Sequence, residues 1–501
     1  MTPGEKAAST GPSGTSGFAT DAAEHLARSW RERDRADRVA LACMAALVAA
    51  AVAVRLWLVL AYGPAFLGFG DSHEYVDAAA HGVFSDPQKP AGYPIFLATL
   101  HLLSSSLSFA ILVQHALGIA TGLLLYKSVR RAGAPPLIGL LPAAVVFFGG
   151  TGLLLEHALL ADSLFAFVQA LGIYAAVRAL AEPGLRWPLL AGLAIGVSFW
   201  IKTVAISSAI LVPVLLLLMP HTARSRRLRS AASAAAGALI LMLAYVPIQA
   251  AVTGYWGYER EGAWNLYGRV ATFVDCASFT PPAGTRFLCP AEPPSHRQTE
   301  SFYQYARAAP AVQRFGGPGH APGYANGLLQ RFSVAAIEHE PIAYAGAILH
   351  GLTFFVSPRE GEGYTPTALR GALLDPKGVR SIQPAIDTYY PGDRGYVGSA
   401  SAARALSSYD RHTRVQGLLL LVLLLSAVLG TPLLRGAARH AAVLFTLTAV
   451  LSVAVAVAGN GYDARYAYPA FGPLAAGAAL GLWGIAIQLR RRRAFSKRRR
   501  S

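Results

Sequence analysis

Charge is what this 501-residue chain has least of. Only 14% of its residues are Asp, Glu, Lys or Arg, while 54% are apolar. A soluble domain carries about 25% charged residues, so an ordinary cytosolic protein is excluded, and the same balance excludes a disordered or collagen-like chain. Acidic residues are the scarcer sign, 27 against 44 Lys and Arg, for a formal net charge of +17. No internal repeat is evident, which speaks against a transporter built from inverted repeats. No secretory signal is evident either. The first apolar run starts near Val39, too far in and too long for an h-region, and is expected to stay as a membrane anchor. Cysteine is limited to three residues. Cys43 falls in that first run and reads as packing. Cys276 and Cys289 lie in a long polar segment, where they can pair in an oxidising compartment or stay as free thiols in a reducing one.

What the chain has instead is length in its apolar runs. A helix needs about 20 residues to cross ~30 Å of hydrocarbon. Runs that span or nearly span are 39–62, 107–126, 135–154, 163–181, 187–202, 203–220, 231–252, 415–434, 440–459 and 467–489. The fifth and sixth are short and read as one broken pair. The expected fold is an all-α polytopic membrane protein of about 10 transmembrane helices, with an extracytoplasmic mixed loop region.

The basic residues form short blocks between these runs: Arg28 to Arg38, Lys127 to Arg131, Arg224 to Arg229 and Arg490 to Arg500. Nucleic-acid binding is disfavoured, because the blocks lack interleaved aromatics and a soluble domain to carry them. They fit the excess of Lys and Arg in cytoplasmic loops. With an Arg-rich cytoplasmic N-terminus, every strong block falls on the cytoplasmic side. Segments 63–106, 155–162, 253–414 and 460–466 then fall outside. Residues 342–357 are apolar enough for another span, but counting it would put the C-terminal Arg cluster outside. That run is therefore expected as an amphipathic or re-entrant helix on the outer face. The organisation read from this is a flexible basic tail (1–38), a transmembrane module (39–252) with its first outer loop at 63–106, an extracytoplasmic region (253–414), C-terminal transmembrane helices (415–489) and a basic tail (490–501). Both termini are cytoplasmic, in a cell inner or plasma membrane.

Chemistry is expected where ionisable groups meet the membrane, because carboxylates there are costly unless solvated or paired. The first outer loop carries Asp71, Glu74, Asp77, Asp86 and Lys89. Asp71 and Glu74 are three apart and share a helical face. They can cooperate in acid–base work or hold a divalent cation. Otherwise this is a solvated loop with Asp71 capping a helix. In the second loop, Asp162 with Ser163 can cap the next span, whereas Glu156, ending an apolar run, argues for an inward role. His157 is a ligand, a base or a satisfied polar side chain. Arg465, beside Tyr462, Tyr466 and Tyr468, is either a snorkelling residue in an aromatic belt or a phosphate clamp. Lys202 has the same two readings.

The order of these motifs resembles the GT-C superfamily of integral membrane glycosyltransferases. The branch most like it contains the protein O-mannosyltransferases and the aminoarabinose transferase of lipid A. That branch opens its first outer loop with D-E-x-x-Y-x-x-x-A. Here Asp71 matches the catalytic acid, Tyr75 the tyrosine and Ala79 the small residue. Ser72 stands where the second acid is usual, so a two-carboxylate site requires Glu74 to substitute from a shifted position. Lys89-Pro90-Ala91-Gly92-Tyr93-Pro94 is similar to the family's K-P-P-x-x-Y/W segment, which implies that Lys89, with Tyr93, serves the lipid-linked phosphate. Glu156 or Asp162 matches the second-loop acid. Arg465-Tyr466-Ala467-Tyr468-Pro469 matches the R-Y-x-x-P segment. The resemblance covers residues 40–255 and 415–489.

It implies a polyprenyl-phosphate sugar donor, a lipid, glycan or protein acceptor, and single displacement with inversion. Asp71 would be the general base. The catalytic set is Asp71, Glu74, Glu156 and Asp162, and the donor-phosphate set Lys89, Tyr93, Lys202 and Arg465. No cofactor is certain, although some relatives use a divalent cation, which Asp71 and Glu74 would hold. Residues 264–290 resemble a stretch of uncharacterised bacterial members, which implies a cover over the site closed by a Cys276–Cys289 disulfide. Residues 316–326 and 359–400 read as loops. The competing readings are a transporter or lipid flippase, and a scaffold.

Overall fold

The computed structural model describes residues 16–219, 223–357, 365–394 and 400–498. Among these residues no strand forms. The helices of the first half are α1 (Ser16–Tyr62), α2 (Gly70–His81), α3 (Gly92–His101), α4 (Leu107–Arg131), α5 (Leu140–Phe148), α6 (Gly150–Glu156), α7 (Asp162–Ala181), α8 (Arg186–Ile201), α9 (Ile206–Leu217) and α10 (Arg224–Thr253). Then come α11 (Glu261–Ala271), α12 (Glu300–Tyr305), α13 (Pro310–Phe315), α14 (Ala325–His339), α15 (Pro341–Val356), α16 (Pro366–Leu373), α17 (Pro376–Tyr389) and α18 (Ala400–Thr413). The chain closes with α19 (Leu418–Gly430), α20 (Gly436–Gly459) and α21 (Ala464–Arg498).

Seven helical stretches are long and apolar enough to cross a membrane: 35–62, 107–131, 162–181, 224–253, 401–433, 436–459 and 464–496. Three shorter apolar helices accompany them at 186–201, 203–217 and 341–356. The chain is a multi-pass membrane protein. The expected run 135–154 is not one helix. It breaks into α5 and α6 at Gly149, whose extended backbone (φ −60°, ψ 117°) ends the first piece. The expected broken pair is realised at Lys202. Its extended backbone (φ −148°, ψ 128°) stops α8, and a 3₁₀ turn leads into α9.

Helix approach in the bundle depends on small residues, because apolar surface gives no net drive in lipid and close contact must supply the attraction. A Cβ on Gly192 of α8 would meet the Ala234 carbonyl oxygen of α10 at 2.0 Å. One on Gly430 of α19 would meet the Gly481 carbonyl oxygen of α21 at 2.1 Å.

The bundle has two chemically different ends. At one, the basic block closing α4 pairs with acids at the ends of neighbouring spans. Arg130 reaches Asp37 of α1 at 2.9 Å, and Arg131 pairs with Glu182, which follows α7. At the other end gather the loops after α1, before α7, after α10 and before α21. These are the four segments that charge and span parity assign to one face.

The region 253–414 is more helical than a mixed loop. Its first part builds a core of its own from α11 to α14, with Trp264, Tyr267, Tyr303 and Phe332 fully buried. Its second part joins the main core through Leu369, Leu373, Ile382 and Ile386. That corrects the loop reading of 359–400 wherever those residues are described. Pro366 and Pro376 occupy first-turn positions, where the missing N–H costs nothing. Thr365 and Asp375 cap the two helices through backbone N–H groups. The first of these tails (1–38) is described only from residue 16, where α1 already begins, and the C-terminal basic block continues α21 to Arg498. Helix α15 packs at the site end of α20, with the Tyr344 hydroxyl donating to the Ala458 carbonyl at 3.0 Å and Ile342 and Leu349 exposed.

Candidate active site

Asp71 and Asp162 stand in the first turns of α2 and α7, where a helix N-terminus favours negative charge. Neither acts as a side-chain cap, since Phe69 and Ala161 occupy the cap positions and make no side-chain cap bond. Their carboxylates turn instead toward cations. Arg465, at the start of α21, donates from Nη1 to Asp71 Oδ2 at 2.6 Å and from Nε to Asp162 Oδ2 at 2.7 Å. Lys202, placed by the break between α8 and α9, donates to Asp162 Oδ1 at 2.5 Å. Lys89 Nζ lies 3.2 Å from Asp71 Oδ1 and 3.7 Å from Glu74 Oε2, and it also bonds Glu261 of α11. The result is an alternating ladder: Glu261, Lys89, Asp71, Arg465, Asp162, Lys202. Residues from five separate stretches of sequence are joined by it. Such pairing is what allows charges to be buried at a membrane protein's core edge.

The ladder forms one side of a cavity of about 450 Å³. Asp71, Lys89, Lys202, Arg465 and Glu261 line its polar side. Phe165, Phe199, Ile201, Val204, Ile206 and Val455 line an apolar side made by the membrane helices. The cavity thus offers cations at one end and hydrocarbon along its wall.

Electrostatics separates the acids. Burial would raise the Asp71 carboxyl, but Arg465 and Lys89 outweigh it and hold the group well below the ordinary range. Burial likewise works against the Lys89 charge, and Asp71, Glu261 and Glu74 more than compensate, so the ammonium stays protonated. Glu74 is pushed up to about 7 by burial, with Asp71, Glu261 and Asp86 acting the same way against Lys89. Its Oε2 is buried without a hydrogen-bond partner. Glu259, on the cavity wall, is pushed up to about 7 by burial and by Glu261, and it accepts from Thr203 Oγ1 at 3.1 Å.

Two expected site residues lie elsewhere. Tyr93 is fully buried behind the cavity. Its hydroxyl donates to Gln114 Oε1 at 2.7 Å, and its ring packs edge-on against Tyr75, which does line the cavity. Glu156 ends α6 in a separate polar cluster. Arg55 of α1 grips it through Nε and Nη2, both at 2.8 Å, and Arg55 Nη1 reaches the Phe147 carbonyl at 3.0 Å. His115 Nδ1 lies 3.0 Å from Glu156, and His157 continues the chain to His115 and to the Tyr62 carbonyl. His157 is thus a satisfied buried side chain. Asp77 sits on the outer face of α2 beside His81.

The residues present do not fit the divalent cation that some relatives use. Among the described residues no three His, Cys, Asp or Glu side chains gather for a metal. The Lys89 ammonium stands between Asp71 and Glu74, where such an ion would sit. Cys276 and Cys289 are disulfide-bonded, with Cα atoms 6.1 Å apart, within the α11–α14 unit. Glu259, Glu261 and Tyr305 were not legible as site residues. Their one signal is position, two acids directly after a span on the same face as the first outer loop.

The comparison that bears most on this geometry covers the stretch from Lys89 to the end of α10. Residues 88–249 match the family described as dolichyl-phosphate-mannose-protein mannosyltransferase. This match bears out the resemblance to the GT-C superfamily of membrane glycosyltransferases over those residues. No curated protein matches the chain. Two similar solved structures are of an oligosaccharyltransferase from Archaeoglobus fulgidus. The apo form is 13% identical, with 91% of this chain and 52% of that chain covered and a TM-score of 0.44. The same organism's AglB, in complex with an inhibitory peptide and a dolichol-phosphate, is 12% identical, with 91% and 51% covered and a TM-score of 0.41. The chain spans about half the length of these proteins, and likeness at this level carries no functional inference.

Proposed function

We propose that the protein transfers a single sugar from a polyprenyl-phosphate donor to an acceptor hydroxyl at the outer face of a cell inner or plasma membrane, with both termini cytoplasmic. The observation that carries this reading is the cavity itself: Lys89, Lys202 and Arg465 at one end of an apolar wall suit a ligand that is phosphate at one point and hydrocarbon beyond it. Guanidinium and ammonium groups bind phosphate oxygens by charge-assisted hydrogen bonds. Charge develops on that phosphate as it leaves, so cations held in a water-poor site are the protein's main lever on the barrier.

Asp71 is the general base. The acceptor oxygen attacks the anomeric carbon, the bond from that carbon to the phosphate oxygen breaks, and the acceptor proton passes to Asp71. The configuration inverts, and the phosphate stays on the polyprenol. In the free enzyme Asp71 is ionised but weakly basic, because Arg465 and Lys89 stabilise its charge. When those cations turn to the donor phosphate, the carboxylate loses that stabilisation and its affinity for a proton rises. Asp162 positions Arg465 and Lys202. Glu156 holds α1, α4 and α6 together and takes no part in the reaction. The region 253–414, tied by its disulfide, covers the site.

The test is donor consumption by full-length protein in nanodiscs with a panel of polyprenyl-phosphate sugars. One donor is expected to be turned over by the wild type and left intact by Asp71→Asn. Equal turnover by Asp71→Asn would remove Asp71 from the mechanism. Absence of binding or turnover with every donor would remove the donor class.

A further inference from the structure

The ladder balances its charges in the empty site, with three cations against three carboxylates, and an arriving phosphate disturbs that balance. Asp162 is fully buried between Arg465 and Lys202. Asp71 is held by Arg465 and, on the reading above, is the base. Glu261 differs. It is the ladder's one carboxylate from the covering region 253–414, it faces the cavity, and its ladder partner is Lys89 alone. Its other oxygen accepts from the Tyr305 hydroxyl at 2.6 Å, a residue at the end of α12 whose ring is half exposed. Both Glu261 and Tyr305 belong to the covering unit. Trp264, one turn along α11 from Glu261, is fully buried in that unit's core.

We infer that Glu261 is a positioning residue that occupies the phosphate's place on Lys89 in the empty enzyme, and that the donor phosphate displaces it. The inference rests on the donor reading above. A carboxylate and a phosphate offer Lys89 the same thing, anionic oxygen at hydrogen-bond distance, and both cannot remain beside it without like-charge repulsion in a site largely closed to water. Of Lys89's neighbours, Asp71 has to stay at the reacting centre as the base, and Glu74 is not on the cavity wall. Displacement therefore falls on Glu261, and α11 is the element that registers whether donor is bound. The exchange keeps Lys89 oriented and its charge satisfied while the site is empty.

Full-length protein in nanodiscs is titrated with polyprenyl phosphate, which lacks the sugar, and assayed with the sugar-bearing donor. Wild type, Glu261→Gln and Tyr305→Phe are compared. Glu261→Gln keeps the shape and removes the competing charge. It is expected to lower the Kd for polyprenyl phosphate and the KM for donor by about tenfold, equivalent to 1.4 kcal/mol, without raising kcat. Tyr305→Phe keeps every charge and frees Glu261 from its anchor, so it shifts Kd in the same direction. In the wild type, amide exchange along α11 is expected to quicken when polyprenyl phosphate is added. A merely structural Glu261 would misplace Lys89 when neutralised, and a Kd unchanged or raised in both variants, with α11 exchange unmoved in the wild type, overturns the inference. Should the wild type take up no polyprenyl phosphate, the donor reading fails and this inference falls with it.

Discussion

The ion pair between Arg55 and Glu156 allows the sharpest stability test, because both side chains are almost wholly enclosed, at 4% and 0% exposure. Arg55 makes two 2.8 Å bonds to Glu156 and two more to the Ala51 and Phe147 carbonyls. Glu156→Gln removes the charge that offsets Arg55 and leaves the guanidinium buried against neutral acceptors. Breaking a buried pair from one side costs about 3–5 kcal/mol, while replacing both partners by apolar groups of similar volume is near neutral. Glu156→Gln, Glu156→Leu and Arg55→Met should therefore each be strongly destabilising, and Arg55→Met with Glu156→Leu together should recover most of the loss of those two single changes. A double-mutant cycle on denaturant-induced unfolding in detergent reads the coupling, expected at about 2 kcal/mol or more given that contacting residues couple by 0.5–3 kcal/mol. Additive losses, or a cost below about 1 kcal/mol for Glu156→Gln, would refute the assignment of Glu156 to structure and return it to the candidate catalytic set.

Arg465→Ala and Lys202→Ala should both weaken donor use, Arg465 more, since its loss takes one of two cationic partners from both Asp71 and Asp162; steady-state kinetics should show a kcat/KM loss of about 100-fold or more for Arg465→Ala, in line with removal of a transition-state charge donor. Glu74 has its pKa raised to about 7 by burial, so the stability it contributes is full below the unfolded carboxyl value and is lost as pH rises through 7. Glu74→Gln should accordingly raise the thermal midpoint at pH 8 relative to wild type and leave it unchanged at pH 4; equal midpoints at pH 8 would contradict the burial argument. Cys276 and Cys289 are 13 residues apart, and closing a loop of that size stabilises by about 3 kcal/mol in the chain-entropy account, so Cys276→Ser with Cys289→Ser should lower the midpoint of the covering unit, as followed by proteolysis within 261–339.

How far the sequence speaks for the site depends on how unusual each charge is where it stands. Asp162 and Lys202 are isolated ionisable groups at the edges of apolar runs, Asp71, Lys89 and Arg465 stand in short outer segments between such runs, and these five are residues the fold draws together. Glu261 lies among other charged residues in a polar segment, so nothing local marks it. Glu156 looked equally anomalous, yet its partner Arg55 is 101 residues away, and that pairing is visible only in three dimensions. The bundle was legible from run length and charge blocks. The break at Gly149 and Gly150 was written as adjacent glycines inside an otherwise continuous run. Helices α16 and α17 were hidden because Pro and Gly lower helical preference overall, although a proline in the first turn with a Thr or Asp cap before it is a start signal.

Asp71→Asn against wild type, in a donor-consumption assay with polyprenyl-phosphate sugars, tests the central claim most directly. The account predicts that the variant folds, binds donor and fails to transfer. A variant that transfers at the wild-type rate would contradict it.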